Sequence, residues 1–102
     1  MDPRERQRLR DEARGLEASM SVGKGGLGEG VVAEIRRQLE AHGLVKLRLL
    51  EAARQDEDRH AMAERLAQAC GAELVEVRGF TVVLYRPKKG RAGTGAARSA
   101  GS

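Results

Sequence analysis

Residues 22–30 read Val22-Gly23-Lys24-Gly25-Gly26-Leu27-Gly28-Glu29-Gly30, a stretch with five glycines and one lysine. It stands between a short extended segment and an amphipathic helix. Glycine adopts backbone conformations that other residues avoid, and it lets another molecule approach without a Cβ in the way. A helix that begins just downstream leaves unpaired N–H groups pointing back at the stretch. The stretch therefore predicts a loop that faces an anion.

The sequence on both sides of this loop predicts the element order α-β-α-β-α-β-β. Residues 44–49 alternate between apolar and basic side chains, which indicates a strand with one buried face. Two strands near the C-terminus are separated by little more than Gly79, so they must form a hairpin. We expect helices at 3–17 and 29–42 and a third that ends at Gly71, and strands at 19–22, 44–49, 73–78 and 81–86. The apolar stripe of the third helix is expected to comprise Met62, Leu66 and Ala69 with Arg59, Ala63 and Cys70.

This order predicts an α/β fold with a small mixed four-stranded sheet. Strands joined through a helix run parallel, and the final hairpin adds an antiparallel strand. We expect the helices mainly on one face and the other face open to water. Four basic residues then fall on the polar side of the strands: Lys46, Arg48, Arg78 and Arg86.

The composition predicts one small domain followed by a tail. The chain has 102 residues, which is long enough for a single hydrophobic core. Its formal charge is +4. We expect a domain at 1–87. Residues 88–102 contain Gly, Ala, Ser and basic side chains without an apolar period, so we expect a disordered basic tail. Such a tail either attracts nucleic acid or only keeps the protein in solution, and the sequence leaves both open.

Several classes of protein are excluded by what the sequence lacks. A single cysteine, Cys70, permits no internal disulfide, and no Cys/His pattern predicts a metal site. No segment approaches the ~20 apolar residues of a membrane span, so we expect a cytoplasmic protein. The aromatic residues are Phe80 and Tyr85, too few for a platform that stacks several bases. We find no catalytic constellation, and we predict neither an enzyme nor a cofactor.

Three phosphate-binding motifs compete for the glycine-rich loop. A Walker A motif fails, because the lysine precedes the last glycines. The stretch Gly23 to Gly28 satisfies G-x-G-x-x-G, the motif of dinucleotide-binding folds. Glu51 follows it at roughly the sequence spacing expected of the acidic residue that binds the ribose. The first strand, however, is too short and too polar for a dinucleotide-binding fold. Gly23 to Gly26 also satisfies G-x-x-G, the loop with which KH domains clamp a nucleic-acid backbone.

Three blocks in the same order, at residues 22–35, 44–48 and 71–87, resemble the CRM domain, the YhbY-like RNA-binding family. The resemblance implies a fold similar to the C-terminal domain of bacterial translation initiation factor three. It also implies binding to precursors of the large ribosomal subunit, as in bacterial single-domain members, or to intron RNA, as in plant organellar relatives. The chain departs from the family pattern at Arg8, Gly25, Gly28 and Phe80, the last standing where a basic residue is expected.

The resulting hypothesis is a monomer that clamps the backbone of structured RNA, in particular ribosomal RNA of the large-subunit precursor. Two rivals stay open: a small nucleotide-binding protein that uses the same loop, and an adaptor that binds other proteins. The expected RNA-binding residues are Gly23, Lys24, Gly25, Gly26, Lys46, Arg48, Arg78 and Arg86.

Overall fold

A computed structural model describes residues 2–23, 28–51 and 58–86. The predicted tail at 88–102, Pro87, and the loop residues Lys24, Gly25 and Gly26 lie outside these ranges. The elements are α1 (Pro3–Arg14), β1 (Met20–Val22), α2 (Glu29–His42), β2 (Leu44–Leu49), α3 (Arg59–Cys70), β3 (Glu73–Arg78) and β4 (Thr81–Tyr85).

The four strands form one mixed sheet in the order β1-β2-β4-β3. β1 runs parallel to β2, and α2 makes the crossover between them, as parallel neighbours require. β4 is antiparallel to both β2 and β3. The predicted α/β fold with a mixed four-stranded sheet is confirmed.

The main core lies between the sheet and the pair α2 and α3. Leu47 and Leu49 of β2, Val82 and Leu84 of β4, and Ile35 of α2 are among its buried side chains. Each fully buried Leu or Ile contributes about 1.5–3 kcal/mol relative to an exposed position. In α3 the buried stripe is Met62, Ala63, Leu66, Ala67 and Cys70. The expected Ala69 and Arg59 are exposed instead.

The sequence predicted that the opposite face of the sheet would be open to water. This prediction is wrong, because α1 packs on that face. Leu9 and Ala13 of α1 are buried against Leu44, Val75 and Val83. These two side chains are four residues apart and form a narrow apolar stripe, wide enough to cover part of the sheet only. Two helices on one face and one on the other still give a sheet covered mainly on one side.

Helix α1 ends at Arg14, earlier than the predicted residue 17. Gly15 follows as the C-cap, and its N–H bonds back to Glu12. Leu16, expected in the apolar stripe, is 42% exposed. The first and last strands are each one residue shorter than predicted, beginning at Met20 and ending at Tyr85.

Arginines attach α1 to the edge strand β3. Nη1 of Arg6 donates to the backbone oxygens of Leu74 at 2.7 Å and Val75 at 3.0 Å, next to the register shift between Leu74 and Glu76. Nε of Arg10 lies 3.4 Å from Oε1 of Glu76. Some charged residues of α1 therefore hold the helix against β3, and the charged side of α1 is not only a solvated surface.

Candidate nucleic-acid interface

Gly23, the first glycine of the predicted loop, follows β1 at the end of the sheet that also holds the end of β2 and the β3–β4 turn. Leu50 N–H donates to the oxygen of Val22 at 2.9 Å, and Leu49 N–H donates to the oxygen of Phe80 at 2.7 Å. The C-terminal ends of β1 and β2 therefore lie beside the β3–β4 turn. We call this region, from Gly23 to the turn at Gly79-Phe80, the loop edge. Gly23 lies against Leu50, since a Cβ added to Gly23 would be 3.7 Å from Leu50 Cδ1.

The far side of the loop is the start of α2, where Gly28 is the N-cap, as predicted. Within the described ranges, the first intrahelical bond runs from Val32 N–H to the oxygen of Gly28 at 3.0 Å. The N–H groups in the first turn of any helix have no acceptor inside the helix. Glycine offers no side chain to them. Helix α3 differs, because Oδ2 of Asp58 accepts from the N–H groups of His60 and Ala61. Among the described residues, no side chain caps the start of α2, and a helix start of this kind suits an anionic ligand.

Two of the predicted basic residues, Arg48 and Arg78, come together on the α1 side of the loop edge. Both pair in register with Thr81, one from each side of β4, so their side chains leave the same face of the sheet. Both are exposed. Within the described ranges, no hydrogen bond or ion pair joins either guanidinium to another residue. This arrangement leaves two exposed cations on one face of the sheet, two strand spacings apart and on either side of Thr81.

Lys46 lies on the same face but contacts the protein itself. Its Nζ donates to the backbone oxygens of Ala13 at 3.1 Å and Leu16 at 2.9 Å. Lys46 shares with Arg78 a cavity of about 300 Å³, which is lined by Ala13, Arg14, Lys46, Glu76, Arg78, Thr81 and Val83. An ammonium group has three donors, and the contacts of Lys46 with other described residues use two of them.

Arg86 is not brought together with the other predicted residues. Its backbone N–H donates to the oxygen of Gly43 at 2.8 Å, at the end of the sheet opposite the loop edge. Its Nη1 donates to the oxygen of Cys70 at 3.3 Å, and its Nη2 lies 3.8 Å from a carboxylate oxygen of Glu40. These contacts hold the guanidinium against the C-terminus of α3, which the helix dipole favours.

One pair at the loop edge was missed by the sequence analysis. The guanidinium carbon of Arg59 lies 5.8 Å from the ring centroid of Phe80, and Phe80 is 45% exposed. Arg59 directly follows the N-cap Asp58 and therefore stands in the first turn of α3. This position after an N-cap aspartate was the signal that could have indicated the pair, whereas Arg59 was predicted to lie in the apolar stripe of α3. The structure thus puts a cation beside the turn where Phe80 replaces the expected basic residue.

Three of the described residues, Glu34, Arg37 and Cys70, have shifted pKa values. Burial raises the pKa of the Cys70 thiol. On the exposed surface of α2, the hydrogen bond from Arg37 lowers the pKa of Glu34 and raises that of Arg37. Across residues 2–23, 28–51 and 58–86, no group of three or more His, Cys, Asp or Glu is arranged to hold a metal ion. No helix in those ranges is long and apolar enough to cross a bilayer.

These features define a small α/β domain with a glycine-rich loop at the end of its parallel strand pair. Residues 1–86 match the CRS1/YhbY (CRM) domain family, and the chain belongs to that family. The predicted family membership is therefore confirmed.

Relatives from distant organisms agree with this assignment. A Methanocaldococcus jannaschii protein, named a probable RNA-binding protein, is 45% identical over 82 residues, which are 80% of this chain and 60% of that protein. A Bacillus subtilis protein of the same description is 36% identical over 81 residues, covering 79% and 82% of the two chains. The chain thus spans less than two thirds of the archaeal relative and most of the bacterial one.

A solved structure has the same fold. The solution structure of a Staphylococcus aureus protein, titled as a hypothetical protein and candidate RNA-binding protein, superposes with a TM-score of 0.73 and is 32% identical. The match covers 87% of this chain and 91% of the staphylococcal chain.

Proposed function

We propose that this protein binds the sugar-phosphate backbone of structured RNA at the loop edge, without making or breaking a covalent bond. The observation that carries the proposal is the convergence of Gly23, the uncapped start of α2, Arg48 and Arg78 on one edge of the sheet. The family assignment and the names of the relatives support RNA as the partner.

The proposed clamp combines fixed dipoles with mobile charges. The N–H groups of Gly25, Gly26 and the first turn of α2 donate to a phosphate, and the helix end adds about 0.3–1 kcal/mol. Lys24 supplies a point charge at the loop. Arg48 and Arg78 contact phosphates on the α1 side, where a planar guanidinium binds phosphate with two parallel hydrogen bonds.

The two other predicted RNA-binding residues, Lys46 and Arg86, already have contacts within the protein. The ammonium of Lys46 holds the end of α1, so we assign it one remaining donor beside Arg78 and a smaller share of the affinity. Arg86 contacts Cys70 and Glu40 away from the loop edge, so its contribution requires an RNA that extends along the sheet to the opposite end. The predicted basic tail, residues 88–102, lies outside the described ranges.

The RNA that suits this site is selected by shape more than by base identity, because backbone contacts carry little sequence information. We propose ribosomal RNA in precursors of the large subunit as the target, with the protein acting as a cytoplasmic monomer in ribosome assembly. The support for this finer statement is the resemblance of the three sequence blocks to the YhbY-like proteins.

The test is RNA binding measured as a function of salt with matched arginine variants. Arg48→Ala/Arg78→Ala is expected to weaken binding to a structured ribosomal RNA fragment and to reduce the slope of log K against log salt by about 0.7–0.9 per lost phosphate contact. The control is Arg8→Ala, since Arg8 is an exposed arginine beside Leu44 and Arg86 at the opposite end. Equal losses in both variants would contradict a localised site.

A second variant tests the loop itself. Lys24→Asp/Gly25→Asp is expected to abolish co-sedimentation with ribosomal particles in cell lysate at low salt while the protein stays folded. Unchanged sedimentation would refute the clamp. Saturable binding of a free mononucleotide or dinucleotide, insensitive to Arg48→Ala/Arg78→Ala, would instead favour the nucleotide-binding alternative, and particle binding that persists at high salt would favour a protein-binding adaptor.

A further inference from the structure

The exposed aromatic ring at the loop edge differs from the other exposed apolar side chains. Leu16 and Leu50 are about as exposed as Phe80, at 42% and 43%, and single exposed apolar residues are ordinary. Phe80 is distinguished by the guanidinium of Arg59 over its ring and by its position in the chain, directly before Thr81, which Arg48 and Arg78 flank.

We infer that Phe80 and Arg59 form a stacking site for one unpaired RNA base beside the phosphate clamp, an inference that rests on the proposed function. Every nucleobase has a flat π-face, so an aromatic side chain can stack on any of the four bases. Arginine also stacks on flat π-systems and stays charged while it does so. The pair therefore offers a flat apolar surface and a cation at one place.

The position of Phe80 and Arg59 fits an RNA strand that crosses the loop edge from the α1 side to the α3 side. Phe80 lies on the α3 side of the sheet, as its contact with Arg59 requires, and its backbone oxygen bonds to Leu49 next to the start of the glycine-rich loop. Arg48 and Arg78 lie on the α1 side. A backbone held at the loop and by these two arginines can turn one base toward the ring.

The site takes a single base. The other aromatic residue, Tyr85, pairs with Leu44 and Glu73 at the opposite end of the sheet, so the two aromatics cannot form a row. A base inside a duplex already has both faces stacked, whereas loops and bulges present free faces. The clamp alone accepts any suitable backbone, and the Phe80 ring adds a preference for an unpaired nucleotide next to it.

The experiment compares two hairpin RNAs that differ only in the loop. One loop consists of unpaired adenosines, and the other has the same sugar-phosphate backbone with abasic sites. The wild-type protein is expected to bind the adenosine loop roughly fivefold or more tightly than the abasic loop, the lower end of the range for base–aromatic stacking. Phe80→Leu is expected to bind both hairpins with the affinity that the wild type shows for the abasic loop.

Phe80→Trp provides a direct signal, because the chain contains no tryptophan. This variant keeps a stacking ring, so its preference for the adenosine loop should persist, and its fluorescence should be quenched by the adenosine loop and not by the abasic one. Leu16→Ala is the control for loss of an exposed apolar side chain, and urea unfolding verifies that each variant is folded.

The outcomes separate this inference from the proposed function. Equal wild-type affinity for the two hairpins, together with salt-sensitive binding that Arg48→Ala/Arg78→Ala weakens, overturns the stacking site and leaves the backbone clamp intact. Loss of stability in Phe80→Leu with an unchanged adenosine preference assigns the pair a structural role and also overturns the inference. Absence of binding to either hairpin and to ribosomal RNA fragments overturns both.

Discussion

Lys46 and Ala13 are joined across the face of the sheet that α1 covers, with Nζ of Lys46 donating to the backbone oxygen of Ala13 at 3.1 Å. The same ammonium donates to the oxygen of Leu16 at 2.9 Å. A cation at this place also faces the negative end of the α1 dipole. Lys46 therefore links the central strand to the end of a helix that has only two buried apolar residues, Leu9 and Ala13.

Replacing this cation should loosen α1. Lys46→Met keeps most of the apolar stem and removes the donors, so we expect the free energy of unfolding to fall by about 0.5–1.5 kcal/mol, the net value of such hydrogen bonds at a partly exposed site. Urea unfolding followed by circular dichroism measures the change. Arg48→Met, two residues later on the same face, should alter stability by less than about 0.5 kcal/mol. Equal losses would mean that Lys46 does not hold α1.

Arg6 makes the second attachment of α1, to the backbone oxygens of Leu74 and Val75 in the edge strand β3. Arg6→Met should leave these partly buried oxygens without their donor and lower the free energy of unfolding by about 1–3 kcal/mol. Hydrogen exchange should also show earlier opening of amides in α1 than in β2. The exposed Arg4 provides the control, because Arg4→Met removes an arginine from the same helix without touching β3. An unchanged exchange pattern in the Arg6 variant would contradict this role.

The helices and strands that were predicted most accurately are those whose bounds depend on residues close together in the sequence. Alternation fixed β2 at Leu44–Leu49, and glycines at both ends fixed α2 at Glu29–His42. Gly43 has a φ of 82°, a conformation that favours glycine and ends the helix. Such signals act within a few residues, so a single sequence contains them in full.

What the sequence could not predict depends on contacts between distant segments. Arg6 and Leu74 are 68 residues apart, and Lys46 and Ala13 are 33 apart, so no local period reports them. The strand pattern correctly put Lys46 and Arg48 on one face, but it could not say that α1 would occupy the part of that face nearest Lys46. The candidate site therefore retains Arg48 and Arg78 as exposed cations, while Lys46 and Arg86 have contacts within the protein.

Cys70 should make stability depend on pH in the alkaline range. Burial raises the pKa of its thiol above the ordinary value of 9.0, so the folded state binds a proton that the unfolded state releases. The stabilisation is complete below pH 9.0 and is lost as the pH rises through the folded pKa. Wild-type stability should therefore decline relative to Cys70→Ala above this pH. A constant difference between the two proteins across pH 8 to 10.5 would show that the thiol does not titrate differently on unfolding.

Gly28 allows a test that separates helix stability from anion binding. Its φ of −59° and ψ of 153° are backbone angles that any residue can adopt, and Asp or Asn at an N-cap stabilises a helix by a few tenths of a kcal/mol relative to Gly. Gly28→Asp and Gly28→Asn should therefore both raise the unfolding midpoint slightly. Asp also puts a negative charge where we propose a phosphate, and repulsion of about 1 kcal/mol at 4 Å in water predicts roughly fivefold weaker RNA binding than for Asn. This gap should shrink with added salt. Equal RNA affinity of the two variants at low salt would mean that no phosphate lies at the start of α2.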